Sequence, residues 1–322
     1  MKTTLYSILA AAACGMAFGQ TAYTNPVGYV TISIAGNIAS NPAGADSYVS
    51  PTLILPNIYA GQTNAVAVSN TLTFAGTTVP TNLDSTYMVE IVEGTSQGWW
   101  SEITSSTSSS IVTLDNVPSA LGANVKIVVR KFQTIKTFLG QNGPGLAALD
   151  EVQILNPISQ VVKTARWVTN PGEWQDVVLE NSMDNDRIFP GTSLKIRIFG
   201  TSPKVYVSSG AVKTTKTQVD IYPQSNWVGA TLAGSSSMAS MNLGPQLLQE
   251  DFNAATTPIA DDLQLILPTQ EAVPYYSVGG VMQNVVTESS SDVAIPIAGG
   301  FGIYRDPSAG ASILVIPAQS VQ

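Results

Sequence analysis

Five side chains within one short stretch have the chemistry from which a site could be assembled. Glu90, Glu93 and Glu102 lie on adjoining segments beside Trp99 and Trp100. Two carboxylates at a set separation across a cleft suffice to cleave a glycoside, one protonating the leaving oxygen while the other acts on the sugar or on water. Indoles are surfaces on which flat apolar faces stack, so the same stretch also fits carbohydrate binding, with Trp99, Trp100, Glu90 and Glu102 as the binding residues. The structural alternative is that the glutamates belong to solvated strand faces and the tryptophans to partly buried packing. Because Trp99 and Trp100 are consecutive, a strand turns them to opposite sides of its sheet. At least one then belongs to a core, and the other is available for stacking.

Outside that stretch the composition removes chemistry. The chain has no histidine and a single cysteine, Cys14. Ser-His-Asp and Cys-His nucleophiles, the usual zinc sites and the commonest general base are therefore excluded, and no enzyme activity is expected. No glycine-rich phosphate loop with its lysine is present, and Gly299-Gly-Phe-Gly302 reads as a turn. No cofactor is expected. Calcium is the one metal considered, at Asp184-Asn-Asp186, where Asp184 and Asp186 supply alternating oxygen ligands for a hard cation. With 14 basic against 22 acidic residues the chain is acidic, net −8, and lacks the clustered cations that nucleic acid requires.

The elements that must position these residues begin after an export signal. Lys2, the apolar run Leu5 to Ala13 and the small residues of Ala17-Phe18-Gly19 read as a signal peptide over 1–19. The product is expected outside the cell or on its outer surface, with the periplasm as the alternative. Cys14 follows three alanines, which suggests lipidation, but the larger aliphatic residue usual three positions earlier is Ala11, so the cysteine is expected to be discarded. No later run reaches the roughly 20 apolar residues of a membrane-spanning helix, so no transmembrane segment is expected after cleavage.

Beyond residue 20 the pattern has period two. In Gly28-Tyr-Val-Thr-Ile-Ser-Ile34, Val30, Ile32 and Ile34 share one face and Tyr29, Thr31 and Ser33 the other. Tyr87 to Glu93, Gly98 to Thr104 and Ile111 to Asp115 form a predicted meander. Val125 to Arg130, Leu194 to Phe199, Lys204 to Val207, Gln218 to Tyr222, Phe301 to Tyr304 and Ser312 to Ile316 continue the strands. Gly244 to Ala255 is the best helical candidate. With 26 glycines and 19 prolines to turn the chain, an all-β fold is predicted: several small antiparallel sheets, sandwich or barrel-like.

The chain also resembles itself. Asp150-Glu-Val-Gln-Ile-Leu-Asn-Pro157 reappears as Asp261-Asp-Leu-Gln-Leu-Ile-Leu-Pro268, and Gln175-Asp-Val-Val-Leu-Glu-Asn-Ser-Met-Asp184 as Gln283-Asn-Val-Val-Thr-Glu-Ser-Ser-Ser-Asp292. Each copy then passes a glycine turn into a strand ending near Arg197 or Arg305. The predicted organisation is an N-terminal β-domain over 20–130 and two tandem related β-units over 131–224 and 225–322, in the C-terminal two thirds. The paired positions Asp150/Asp261, Gln153/Gln264, Glu180/Glu288 and Asp184/Asp292 resemble a site present twice, but acids and amides at strand ends also cap turns, and that architectural role is the expected one.

Asn25-Pro-Val-Gly-Tyr-Val-Thr31, Tyr87-Met-Val-Glu-Ile-Val-Glu-Gly94 with Gly98-Trp-Trp100, Val125-Lys-Ile-Val-Val-Arg130 and Gly210-Ala-Val-Lys-Thr-Thr215 occur in an order that resembles an uncharacterised family of exported β-rich proteins of verrucomicrobial bacteria. The likeness runs over nearly the whole chain after the signal peptide. This chain departs from the pattern at Val161 to Val168 and Pro274 to Val278, which are plainer where the family is rich in Asn, Trp and Tyr. The resemblance implies a secreted β-protein and carries no catalytic residues. The expected function is a non-catalytic, surface or extracellular-matrix structural or adhesive protein, paired with itself through exposed strand edges from Thr21 to Ile34, or with a surface polysaccharide. A carbohydrate-binding module is the alternative, and a glycosidase comes after it.

Overall fold

The computed structural model describes residues 27–38, 43–64, 69–76, 78–119, 121–140, 145–249, 260–267 and 270–318. The signal peptide, Cys14 and Thr21 to Pro26 lie outside the described residues, as does the end of the Gly244 to Ala255 segment. The fold is all-β, with 48% of the described residues in strands and 3% in helix. The helical expectation at Gly244 reduces to a short 3-10 turn, Gly244–Gln246. A short α-helix forms instead at Ile135–Leu139, where the Thr134 and Thr137 side chains cap its first turn reciprocally and Gly140 ends it. Among the described residues no helix is long and apolar enough to cross a membrane.

The duplicated unit is larger than its legible sequence repeat. One five-stranded antiparallel sheet runs in the spatial order Glu173–Asp176, Val161–Val168, Glu151–Asn156, Leu194–Ile198, Ala45–Val49. A second runs Val281–Asn284, Ala272–Val278, Asp262–Ile266, Gly300–Arg305, Gln224–Gly229, which is the same order of equivalent strands. Each is completed by a second ribbon. Val27–Ile34 pairs with Lys204–Val212 in the first copy, and Thr217–Ile221 with Ser312–Ile316 in the second. A short two-stranded pair also recurs, Gln133–Thr134 with Arg187–Ile188 and Ser236–Ser237 with Ala294–Ile295.

These pairings redraw the predicted divisions. Val27–Ile34 and Ala45–Val49 belong to the first copy, not to a separate domain over 20–130, and Thr217–Ile221 belongs to the second copy, not the first. The first copy is discontinuous. Residues 59–131, a six-stranded sheet in the order Tyr59–Gln62, Lys126–Lys131, Tyr87–Ile91, Trp100–Ser106, Ser110–Thr113, Thr71–Thr73, are inserted into it at the place where the second copy passes directly from Gly229 to Ser236. The predicted meander is intact inside that insert.

The cores follow the same division. One cluster contains Val30, Ile32, Ile34, Val49 and Leu53, skips the insert, and resumes at Ile135, Trp174, Leu194 and Ile196. A second, from Val219 to Ile316, serves the other copy, and a third, including Leu72, Val89, Ile103 and Ile127, lies within the insert. Strand alternation explains the first: Val30, Ile32 and Ile34 point inward from Val27–Ile34 while Tyr29, Thr31 and Ser33 point out.

The two copies meet through equivalent residues. Registering Val152 on Ile196 and Leu263 on Ile303 makes Ser50 the counterpart of Gly229, and Gly191 that of Ala298. Ser50 N donates to Ala298 O at 2.7 Å, and Gly229 N donates to Gly191 O at 2.9 Å. This reciprocity is the mark of an approximate two-fold axis between the copies.

Candidate functional site

Three of the five side chains singled out from the sequence, Glu90, Trp100 and Glu102, converge on the face by which the inserted sheet meets the duplicated scaffold. Glu90 is registered on Trp100 and Val128, and Met88 on Glu102 and Arg130, so all six side chains share one side of the sheet. The other side carries Val89, Ile91, Ile103, Ile127 and Val129 into the insert's own core. Both faces are therefore occupied at this place.

Glu90 is 2% exposed, between Arg130 at 2% and Lys213 at 5%. Lys213 Nζ forms an ion pair with Glu90 Oε1, which also accepts from Thr215 Oγ1 at 2.9 Å, and Arg130 Nη2 lies 3.3 Å from Glu90 Oε2. Burial pushes the Glu90 carboxyl up, but Lys213 and Arg130 outweigh it and hold the group below its ordinary 4.5. A glycosidase acid needs the opposite shift. Burial lowers the pKa of both Lys213 and Arg130.

Glu102 accepts from Arg187 Nη1 at 2.6 Å, and the same nitrogen donates to Ser85 O. The Arg187 guanidinium lies 5.3 Å from the Phe132 ring centroid and 5.6 Å from that of Phe189. Trp100 stacks on Phe189 at 5.7 Å, meets Phe132 edge-on at 5.9 Å, and donates through Nε1 to Gln218 O at 3.0 Å. Gln218 N in turn donates to Gly98 O, and Gln218 Nε2 to Gln97 O. Trp99 does face the opposite side, as the strand geometry requires, and packs against the insert's core. Neither indole is left as a free stacking platform. Glu93 joins none of this; it pairs with Lys126 at 3.1 Å on the surface.

The paired positions of the repeat are turn and strand-end devices. Asp176 Oδ1 accepts from Val178 N and Leu179 N, and its counterpart Asn284 Oδ1 accepts from Val286 N and Thr287 N. The two turns close on Glu180 and Glu288, with φ of 53° and 52°. Asp150 accepts from Ala147 N and Phe199 N, and Asp261 from Leu248 N. Gln153 is buried and donates to Glu151, whereas Gln264 is exposed.

The calcium candidates are engaged by lysines. Asp184 accepts from Lys136 Nζ at 2.5 Å and from Trp174 N at 2.9 Å, and Asp186 from Lys163 Nζ at 2.8 Å. Asp292 accepts from Ala239 N, the same backbone-holding role in the second copy. Among the described residues no group of three or more His, Cys, Asp or Glu could hold a metal ion.

Arg197 and Arg305 are not equivalent, although each ends its strand. Glu151 is registered on Arg197 but Asp262 on Tyr304, which places Arg305 one residue further along and on the other face. Arg197 therefore lies near the surface, bonded to Asp46, while Arg305, 1% exposed, makes two bonds to Asp261 inside the second core.

Lys213, Arg130, Arg187 and Phe189 complete the convergence and were not singled out as site residues. A signal existed for one of them: Arg130 ends the apolar run Ile-Val-Val-Arg, as Glu90 interrupts Tyr-Met-Val-Glu-Ile-Val, in a chain only 11% charged. A charge within such a strand needs a buried partner. Comparison of the chain with protein-family models, curated proteins and solved structures gives no match.

Proposed function

We infer that this protein is a non-catalytic structural or adhesive component, exported to the cell surface or an extracellular matrix, that works through β-mediated contact. The observation that carries the reading is the exposed apolar edge of the first copy. Val27–Ile34 has Lys204–Val212 on one side and no strand partner on the other among the described residues. Its outward side chains include Val27 and Tyr29, both 80% exposed, and Val205 and Val207 extend the same face across the ribbon. Monomeric proteins usually blunt such edges with charge or proline, because unpaired backbone groups beside apolar side chains invite another strand. A second copy of this chain is the partner proposed. The acids and aromatics that suggested sugar chemistry support the same reading, since they fasten the insert to the scaffold.

The test is the solution mass of the chain lacking residues 1–19, measured by light scattering across concentration, beside Tyr29→Lys with Val207→Lys. Assembly that grows with concentration and is abolished by the double substitution is the expected result. A monomer at every concentration, or assembly indifferent to the substitutions, overturns the reading. Retention on polysaccharide that is lost in Trp99→Ala or Trp100→Ala with the fold intact would favour the carbohydrate-binding alternative instead.

A further inference from the structure

The junction between insert and scaffold buries more positive charge than negative. Glu90 Oε1 is shared by Lys213 and Thr215, and among the described residues Glu90 Oε2 meets only Arg130 Nη2. Arg130 Nε and Nη1 are buried and have no hydrogen-bond partner among the described residues, and the buried hydroxyl of Thr52 has none either. Arg130 and Thr52 both line a narrow cavity of about 40 Å³, whose other polar walls include Lys213, Thr217 and Thr231. Among the described residues Glu90 is the sole carboxylate on that wall, against Arg130, Lys213 and, at its exposed end, Lys131.

Two buried cations opposite one carboxylate leave a net positive charge out of water, which is strongly unfavourable unless an anion or a lost proton balances it. Guanidinium donors are the side-chain groups best suited to a bound anion, and Arg130 keeps its charge at any working pH. We propose that this cavity is a binding site for one small monovalent inorganic anion of the halide class, held by Arg130 Nε and Nη1 and by the Thr52 hydroxyl within the field of Lys213. The size argues for that class. A single water needs roughly 10–15 Å³ of such space, so the cavity takes a halide and excludes a sugar or a nucleotide. A bound anion would tie Thr52 of the first copy to Arg130 of the insert, completing the fastening that Glu90 begins.

Two rival ways of satisfying the same groups make different predictions. Water bridging Arg130 to Asn57 Oδ1, an unpartnered acceptor beside a second cavity that Arg130 also borders, is indifferent to the salt supplied. A neutral Lys213 removes the excess charge without any ion.

The experiment uses the full chain after signal cleavage, with chloride, bromide or gluconate as the probe at one fixed ionic strength. The melting temperature is expected to be higher in chloride and bromide than in gluconate, with the shift growing as the logarithm of halide concentration once the site is near saturation. Crystals grown in bromide are expected to show an anomalous peak within hydrogen-bonding reach of Arg130 Nε and Nη1. Lys213→Met, which leaves the neutral Arg130–Glu90 pair, is expected to lose the halide shift. If that variant does not fold, the wild-type ion series and the bromide crystals still decide. Equal melting in all three salts, or no bromide in the cavity, overturns the proposal.

Discussion

Tyr48 and Trp227 are counterparts in the two copies, and they meet each other edge to face with ring centroids 6.1 Å apart. Such self-contact occurs only close to a two-fold axis, where equivalent positions compete for one space. Ser50 with Gly229 and Ser193 with Gly300 show how the competition is resolved. In each pair the first copy carries the side chain and the second is glycine, because a Cβ on Gly229 would strike Ser50 Oγ and one on Gly300 would lie 2.8 Å from Ser193 Cβ.

Gly229→Ser is therefore expected to destabilise the protein by about 1–3 kcal/mol, the usual range for overpacking a filled interface. Pairing it with Ser50→Gly relieves the worst clash and should recover part of that loss, although the new Cβ would still lie 2.8 Å from Thr192 O. Denaturant midpoints for the two single variants and the double variant measure the coupling. Additive effects would mean that the two positions do not compete.

Tyr48 supplies an alkaline signature. Burial, with Asp46 adding to it, raises its phenol from 10.0 to about 12. A raised folded-state pKa favours the protonated form, so this contribution to stability is complete below pH 10.0 and is lost as pH rises through about 12. Two units correspond to about 2–3 kcal/mol. Tyr48→Phe should flatten part of the alkaline limb of a stability profile. Only part is expected to go, because burial raises the Tyr206 phenol as well. An unchanged limb would count against a desolvated Tyr48 phenol.

Glu90→Gln leaves Lys213 and Arg130 without their carboxylate. Removing one partner of a buried ion pair costs about 3–5 kcal/mol. Because the Glu90 pKa is depressed, its stabilisation is complete above 4.5 and fades as pH falls through the folded-state value, so the variant should also weaken the acid limb. Replacing Glu90, Arg130 and Lys213 together by Met is expected to cost less than Glu90→Gln alone. Urea unfolding across pH 3 to about 7 compares them, and a triple variant worse than the single one would show that the charges hold the junction by more than mutual neutralisation.

Local sequence determined most of the strands and their inward faces. Period-two patterns around Val30, Ile32 and Ile34 and in the Tyr87 meander require only neighbouring residues, because adjacent side chains on any strand alternate. Asp176 and Asn284 bond backbone two and three residues away, so their turn role lies within four consecutive positions and recurs when the unit recurs, although the sequence alone points to other paired positions for the architectural role.

Tertiary structure decided whatever depends on residues far apart. Val27–Ile34 joins Lys204–Val212 across the whole insert, and its sequence shows that it is a strand without showing whose. The first copy consequently looked shorter than it is, and the insert looked like a domain beginning at residue 20. A one-residue offset, invisible in the repeat alignment, sends Arg305 into a core and leaves Arg197 near the surface. Glu90 had the composition of an active-site acid until the fold brought Lys213 to it from 123 positions away. Strand alternation is a property of neighbours, whereas charge pairing and sheet membership belong to whichever segments come together, and for that reason this chain's repeated architecture could be read in part from its letters while the fate of its acids could not.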